Sequence, residues 1–129
     1  MSINAYEENR VLSASPVELV RILYAAASRA VMNAREFLLA GDIRSRSREI
    51  SKAQLILLEL STSVDPTKGR EVAGRLLSLY DYMQGRLIEA NTAQKEGPLE
   101  EVCALLETLQ EAWSQCEMEC EMECEMALR

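Results

Sequence analysis

Apolar residues recur along this chain at intervals of three and four, the spacing of a helix laid against a core. Val20, Leu23, Ala27, Ala30, Ala34 and Leu38 form the first such stripe. Ser15, Pro16 and Glu18 stand at its head. Ser15 is a good N-cap, Pro16 suits the first helical position, and Glu18 completes a capping box. Further stripes follow in Ile50, Ala53, Leu57, Leu60 and Val64, and in Val72, Leu76, Leu79, Met83 and Leu87. The last, Leu99, Val102, Leu106, Leu109, Trp113, Cys116 and Cys120, is the most regular. Gly41 with Asp42, Pro66 with Gly69, and Gly97 with Pro98 punctuate the pattern. The spacing predicts helices over about 16–39, 43–64, 71–94 and from 98 onward. Long helices joined by short connections pack as antiparallel neighbours. The expected fold is all-α, an antiparallel up-down four-helix bundle with an N-terminal arm.

Each of the first three helices carries more apolar surface than one stripe. Leu19, Ile22, Ala26 and Val31 lie beside the first, Leu55, Ile56 and Leu58 beside the second, and Leu77, Tyr80 and Ile88 beside the third. Four helices cannot enclose all of these unless the bundle is distorted or dimeric. The arm, residues 1–12, sets Ile3, Tyr6, Val11 and Leu12 on a polar background, as a segment lying across a groove would. Tyr6, Leu19, Ile22, Leu55, Leu58, Leu77, Tyr80 and Ile88 are therefore the candidate partner-binding residues.

Composition narrows the function. The chain has 129 residues, enough for one domain with a real core, and a formal net charge of −7. That balance argues against nucleic acid or an anionic membrane as the main partner. No apolar run is long enough to span a bilayer and no secretory signal pattern opens the chain, so a cytoplasmic protein is expected. Arg44, Arg46 and Arg48 fan around the start of the second helix and read as a solvated face. There is no His, which removes the commonest general base and metal ligand together. No phosphate-binding loop or nucleophile elbow is present. The reading is a non-enzyme with no catalytic residues, metal or cofactor.

The end of the chain departs from globular composition. Cys116 to Met126 is a tandem Cys-Glu-Met-Glu repeat. Its cysteines recur every four residues and so share one helical face. One face offers too few converging ligands for a zinc site. The domain reading is a helical bundle over 1–113 and an acidic tail over 114–129 that extends helix four.

Five stretches in order resemble the flagellar export chaperone family FliS. They are Asn4 to Val11, Ser13 to Val20, Lys52 to Leu60, Leu79 to Asn91, and Leu99 to Val102 with Glu111 to Trp113. Two departures stand out. The family's first helix continues Leu-Tyr-Asp-Gly where this chain has Leu23 to Ala26, and its Gly-Gly before the third helix is here Gly69-Arg70. The resemblance implies a cytoplasmic chaperone that binds the disordered C-terminal segment of flagellin. It further implies that the client is kept from polymerising and stays competent for flagellar type III export, with the export apparatus a second candidate partner. The alternative from the residues alone is a generic helical adaptor, or an obligate homodimer without a client, and the sequence leaves the oligomeric state open.

Overall fold

The computed structural model describes residues 16–68 and 70–119. Four helices make it up: α1 (Pro16–Ala40), α2 (Ile43–Thr62), α3 (Arg70–Ala93) and α4 (Gly97–Glu119). α1 packs on α2 and α4, and α3 packs on the same two. Order around the bundle therefore follows order along the chain, the up-down arrangement expected. The N-terminal arm, with Tyr6 and the Ser15 cap, lies outside the described residues, as does the tail beyond 119. The side chains of 116–119 do as well.

The first connection shows how local chemistry sets the packing. Gly41 adopts φ +75°, a left-handed conformation that suits a residue without Cβ. Its N–H and that of Asp42 turn back to Leu38 O and Phe37 O at 3.1 and 2.9 Å, satisfying the last carbonyls of α1. Asp42 then accepts from Ser45 N at 3.1 Å and caps α2. That bond holds the Asp42 carboxyl below the usual carboxylate range. One residue thus closes α1 and opens α2, so the two helices fold back on each other. At the α3–α4 corner the first intrahelical bond runs from Glu100 N to Glu96 O at 3.0 Å, so α4 starts at Gly97, one residue ahead of expectation.

The core holds most of the expected stripes, with one rotation. Val20, Leu23, Ala27, Ala30 and Ala34 are buried from α1, as are Ile50, Ala53, Leu57 and Leu60 from α2. Val64, just past the end of α2, joins them, and α4 supplies Leu99, Val102, Leu106 and Trp113. On α3, however, the buried line is Ala73, Leu76, Tyr80, Met83, Leu87 and Ala90. Val72 stands 56% exposed and Leu79 is half-buried. The alanines at 73 and 90 complete a three-four series that passes through Tyr80. Val31 and Ile56, expected as surplus, are enclosed as well.

A tyrosine can line a core only if its hydroxyl finds a partner. Tyr24 and Tyr80 exchange a hydrogen bond at 2.5 Å, and Trp113 Nε1 donates to Tyr24 Oη at 2.8 Å. Three residues from α1, α3 and α4 meet at one oxygen inside the bundle. Burial pushes the Tyr80 phenol up to about 12 and the Tyr24 phenol higher still, where the neighbouring Tyr80 adds to the effect.

Two outcomes follow from this contact. Tyr24→Phe leaves a buried indole N–H unpaired and the Tyr80 hydroxyl without its partner, and is expected to cost about 1–3 kcal/mol by chemical denaturation. Tyr80→Phe is expected to cost less, because Trp113 keeps its acceptor. Equal losses would refute this ranking. For the pH dependence, both phenols have folded-state values raised above the ordinary 10. Their contribution is complete below pH 10 and declines above it, the Tyr80 share being lost as pH rises through about 12 and the Tyr24 share at higher pH still. Alkaline titration should unfold the wild type more steeply over that window than Tyr24→Phe/Tyr80→Phe, followed by circular dichroism.

Candidate partner-binding face

Hydrogen bonds set the register between α2 and α3. Gln84 Nε2 donates to Gln54 O at 2.8 Å, and Ser47 Oγ donates to Asn91 Oδ1 at 3.1 Å. The helices run antiparallel, so Leu55 and Leu58 pass alongside the stretch of α3 between Leu77 and Gln84. Leu77 and Ile88 share the α2-facing edge of α3 with Gln84. They are 11 residues apart, about 16 Å along the helix. Leu55, Leu58 and Ile88 are 52%, 57% and 54% exposed, while Leu77 is half-buried against the core. Four of the candidate residues thus line one face between α2 and α3.

The other candidates lie elsewhere. Leu19 and Ile22 are half-buried on the flank of α1 opposite to the one that meets α4, with Leu19 packed on the core. Tyr80 is 1% exposed and belongs to the core, because its hydroxyl is satisfied there by Tyr24. Tyr6 is outside the described residues. Sequence reasoning passed over Met32, Leu39, Ile43, Val72 and Tyr82, all exposed. Leu39 and Ile43 flank the α1–α2 turn, and only their apolar character signalled them.

Polar pairing sorts the bundle's sides. Arg35 of α1 reaches Glu96 and Glu100 of α4 at 2.5 and 3.0 Å. Across α3 and α4, Tyr82 Oη and Arg86 Nε both donate to Glu101 Oε1, at 2.7 and 2.6 Å, and Arg86 also pairs with Glu89. The bond from Tyr82 and the Arg86 guanidinium hold Glu101 below the usual carboxylate range. Among the described residues no ion pair spans α2 and α3; that side presents leucines and isoleucine instead.

Beneath the N-terminal end of this face lies Arg46, 4% exposed. Its guanidinium donates to Asn91 Oδ1 at 3.2 Å, Asn91 O at 3.3 Å and Gln94 Oε1 at 3.4 Å. Asn91 O is one of the last carbonyls of α3, where a cation complements the helix dipole. Gln94, at φ +55°, ends that helix in the left-handed region. Arg46 is therefore a clamp between α2 and the end of α3, not part of a solvated face.

No cluster of acid, thiol or imidazole groups able to hold a metal occurs among the described residues. Cys103 is a free, half-buried thiol whose ionisation burial disfavours. A shallow depression along α3, lined by Glu71, Gly74, Arg75, Ser78, Leu79 and Tyr82, holds no nucleophile paired with a base. No described helix is long and apolar enough to cross a membrane. The described residues form a four-helix bundle with an apolar strip exposed between α2 and α3.

The family model described as "Flagellar protein FliS" matches residues 1–119, and the chain belongs to that family. It is 41% identical over 109 residues to the flagellar secretion chaperone FliS of Salmonella typhimurium, covering 84% of this chain and 81% of that one. It is 31% identical over 111 residues to the protein of that name from Bacillus subtilis, covering 86% and 82%. It is also 35% identical over 106 residues to the flagellar secretion chaperone FliSB of Pseudomonas aeruginosa, covering 82% and 84%.

Removing the clamp should loosen the α2–α3 side. Arg46→Ala is expected to cost about 1.5–3 kcal/mol, and Arg46→Lys to recover less than half, since an ammonium cannot span three acceptors. Urea denaturation measures both, and full rescue by lysine would reject the forked geometry as the cause.

Proposed function

We propose that the chain is a cytoplasmic chaperone that binds the disordered C-terminal segment of flagellin, prevents premature polymerisation and keeps the subunit fit for type III export. The observation that carries this reading is the uncovered line of Leu55, Leu58 and Ile88, flanked by Leu77, on one side of a bundle whose relatives are named flagellar secretion chaperones. Leu19 and Ile22 extend the contact on α1. Tyr80 supports the face from within.

The chemistry is helix-in-groove recognition coupled to folding of the ligand. Each leucine fully withdrawn from water contributes about 1.5–3 kcal/mol. Ordering the client offsets several kcal/mol of the total, which a wide interface tolerates. Residues 1–12 join the proposal as a competing occupant of the face, because Ile3, Tyr6, Val11 and Leu12 give that segment the apolar anchors of a client.

Isothermal titration of the chain with a flagellin C-terminal segment tests the reading. One-to-one binding is expected, weakened at least about tenfold by Leu55→Asp/Leu58→Asp, equivalent to about 1.4 kcal/mol. Both leucines are exposed, so the melting temperature should barely move. A tight dimer indifferent to the segment would overturn the chaperone in favour of a homotypic interface. Deleting residues 1–12 should tighten binding, and an unchanged affinity would reject the competing segment.

A further inference from the structure

The outward face of α2 changes character along its length. Arg44, Arg48 and Lys52 recur every four residues, so they form one line, about 6 Å apart. Arg44 and Arg48 are exposed and Lys52 is half-buried. Leu55 continues that line and Leu58 lies one turn further along, toward α3. Exposed Glu59 follows on α2, with exposed Asp81 across from Leu58 on α3. By the register above, Ile88 lies level with Ile50. The face is thus basic toward the start of α2, with Ile88 beside the cations, apolar at Leu55 and Leu58, and negative at Glu59 and Asp81.

Local stability does not explain the basic end. The first turn of α2 holds no acidic residue, and cations there oppose the helix dipole. Arg46 is committed to Asn91 and Gln94, but none of the ion pairs on the described surface uses Arg44, Arg48 or Lys52. The nearby Asp42 carboxylate accepts from Ser45 N and is held lower still by the charges of Arg48 and Arg44, an attraction across solvent without a direct ion pair among the described residues. In a chain of net charge −7, three cations that enter no direct ion pair among the described residues, continuous with an exposed apolar strip, form a surface of opposite sign to the rest.

We propose that the α2–α3 face reads charge as well as apolarity. Its occupant is an amphipathic segment whose acidic residues lie against Arg44, Arg48 and Lys52 while its apolar side covers Leu55, Leu58 and Ile88. This rests on the chaperone reading and adds to it a polarity. The acidic end of the segment lies toward the start of α2, and its basic or neutral end toward Glu59 and Asp81. Charged rims act chiefly on encounter rate, register and partner choice.

The test titrates the full chain with the C-terminal segment of the flagellin encoded in the same genome, at 50 and 300 mM NaCl. A second segment has every Asp and Glu replaced by Asn and Gln. Arg44→Glu/Arg48→Glu should weaken binding of the first segment about tenfold at low salt and remove most of the salt dependence. The amidated segment should bind wild type and variant alike. Glutamates suit the start of a helix, so circular dichroism should show the variant folded. Equal affinity and salt response for wild type and variant, with Leu55→Asp/Leu58→Asp still weakening binding at least about tenfold, would overturn the charge register and leave the chaperone reading standing. A wild-type chain that fails to bind the first segment would overturn both.

Discussion

The hydroxyl oxygen of Tyr24 is the point on which the packing depends. It receives the Trp113 indole N–H and shares a proton with Tyr80, tying α1 to both α4 and α3. α1 and α3 face each other across the bundle, so without this contact only apolar packing would relate them. Apolar packing is non-directional and tolerates rotation of a helix by a few tens of degrees. A buried hydrogen bond does not, because a misplaced donor is left unpaired at a cost comparable to a core substitution. Placing Tyr80 inside rotates α3, and that rotation puts Val72 outside and leaves Leu77 and Ile88 on the edge facing α2.

The bundle's sides are consequently unequal. Where α4 meets α1 and α3, arginines and glutamates bridge the helices and their charges are spent on each other. Where α2 meets α3, the bridges are the Gln84 amide on Gln54 O, the Ser47 hydroxyl on Asn91 and the buried Arg46 clamp. The outer rim there carries leucines, isoleucine and cations. A surface left in that state differs in kind from the charge-paired sides of the bundle.

Much of the architecture was legible in the order of residues. The Gly41–Asp42 turn could be read directly, since a glycine at a helix end and an aspartate at the next start each have one dominant local use. The stripes of α1, α2 and α4 were legible because leucine, valine and alanine at three-four spacing admit one inward face. α3 was not, because two series a short arc apart both satisfied that spacing, one through Val72 and Leu79 and one through Ala73 and Tyr80. Hydrophobicity alone favours the first. Arg46 was misread for a related reason: an arginine among arginines on a surface helix looks solvated until its acceptors, Asn91 and Gln94, are brought beside it by the fold.

Sequence alone determined the helices, the Gly41–Asp42 turn, the other described ends to within a residue or two, and the circuit around the core, since each depends on neighbours within a turn or two. Tertiary structure decided which of the spare apolar side chains stay outside. Tyr80 went in because Tyr24, 56 residues away, meets its hydroxyl at an oxygen that also accepts from Trp113, 89 residues from Tyr24. Ile88 stayed out because the same rotation left it on the rim of α3, and Leu55 and Leu58 stayed out because α2 turns Ile50, Ala53, Leu57 and Leu60 inward instead. Burial of a side chain is a property of what the whole chain places around it, and no local pattern contains that information.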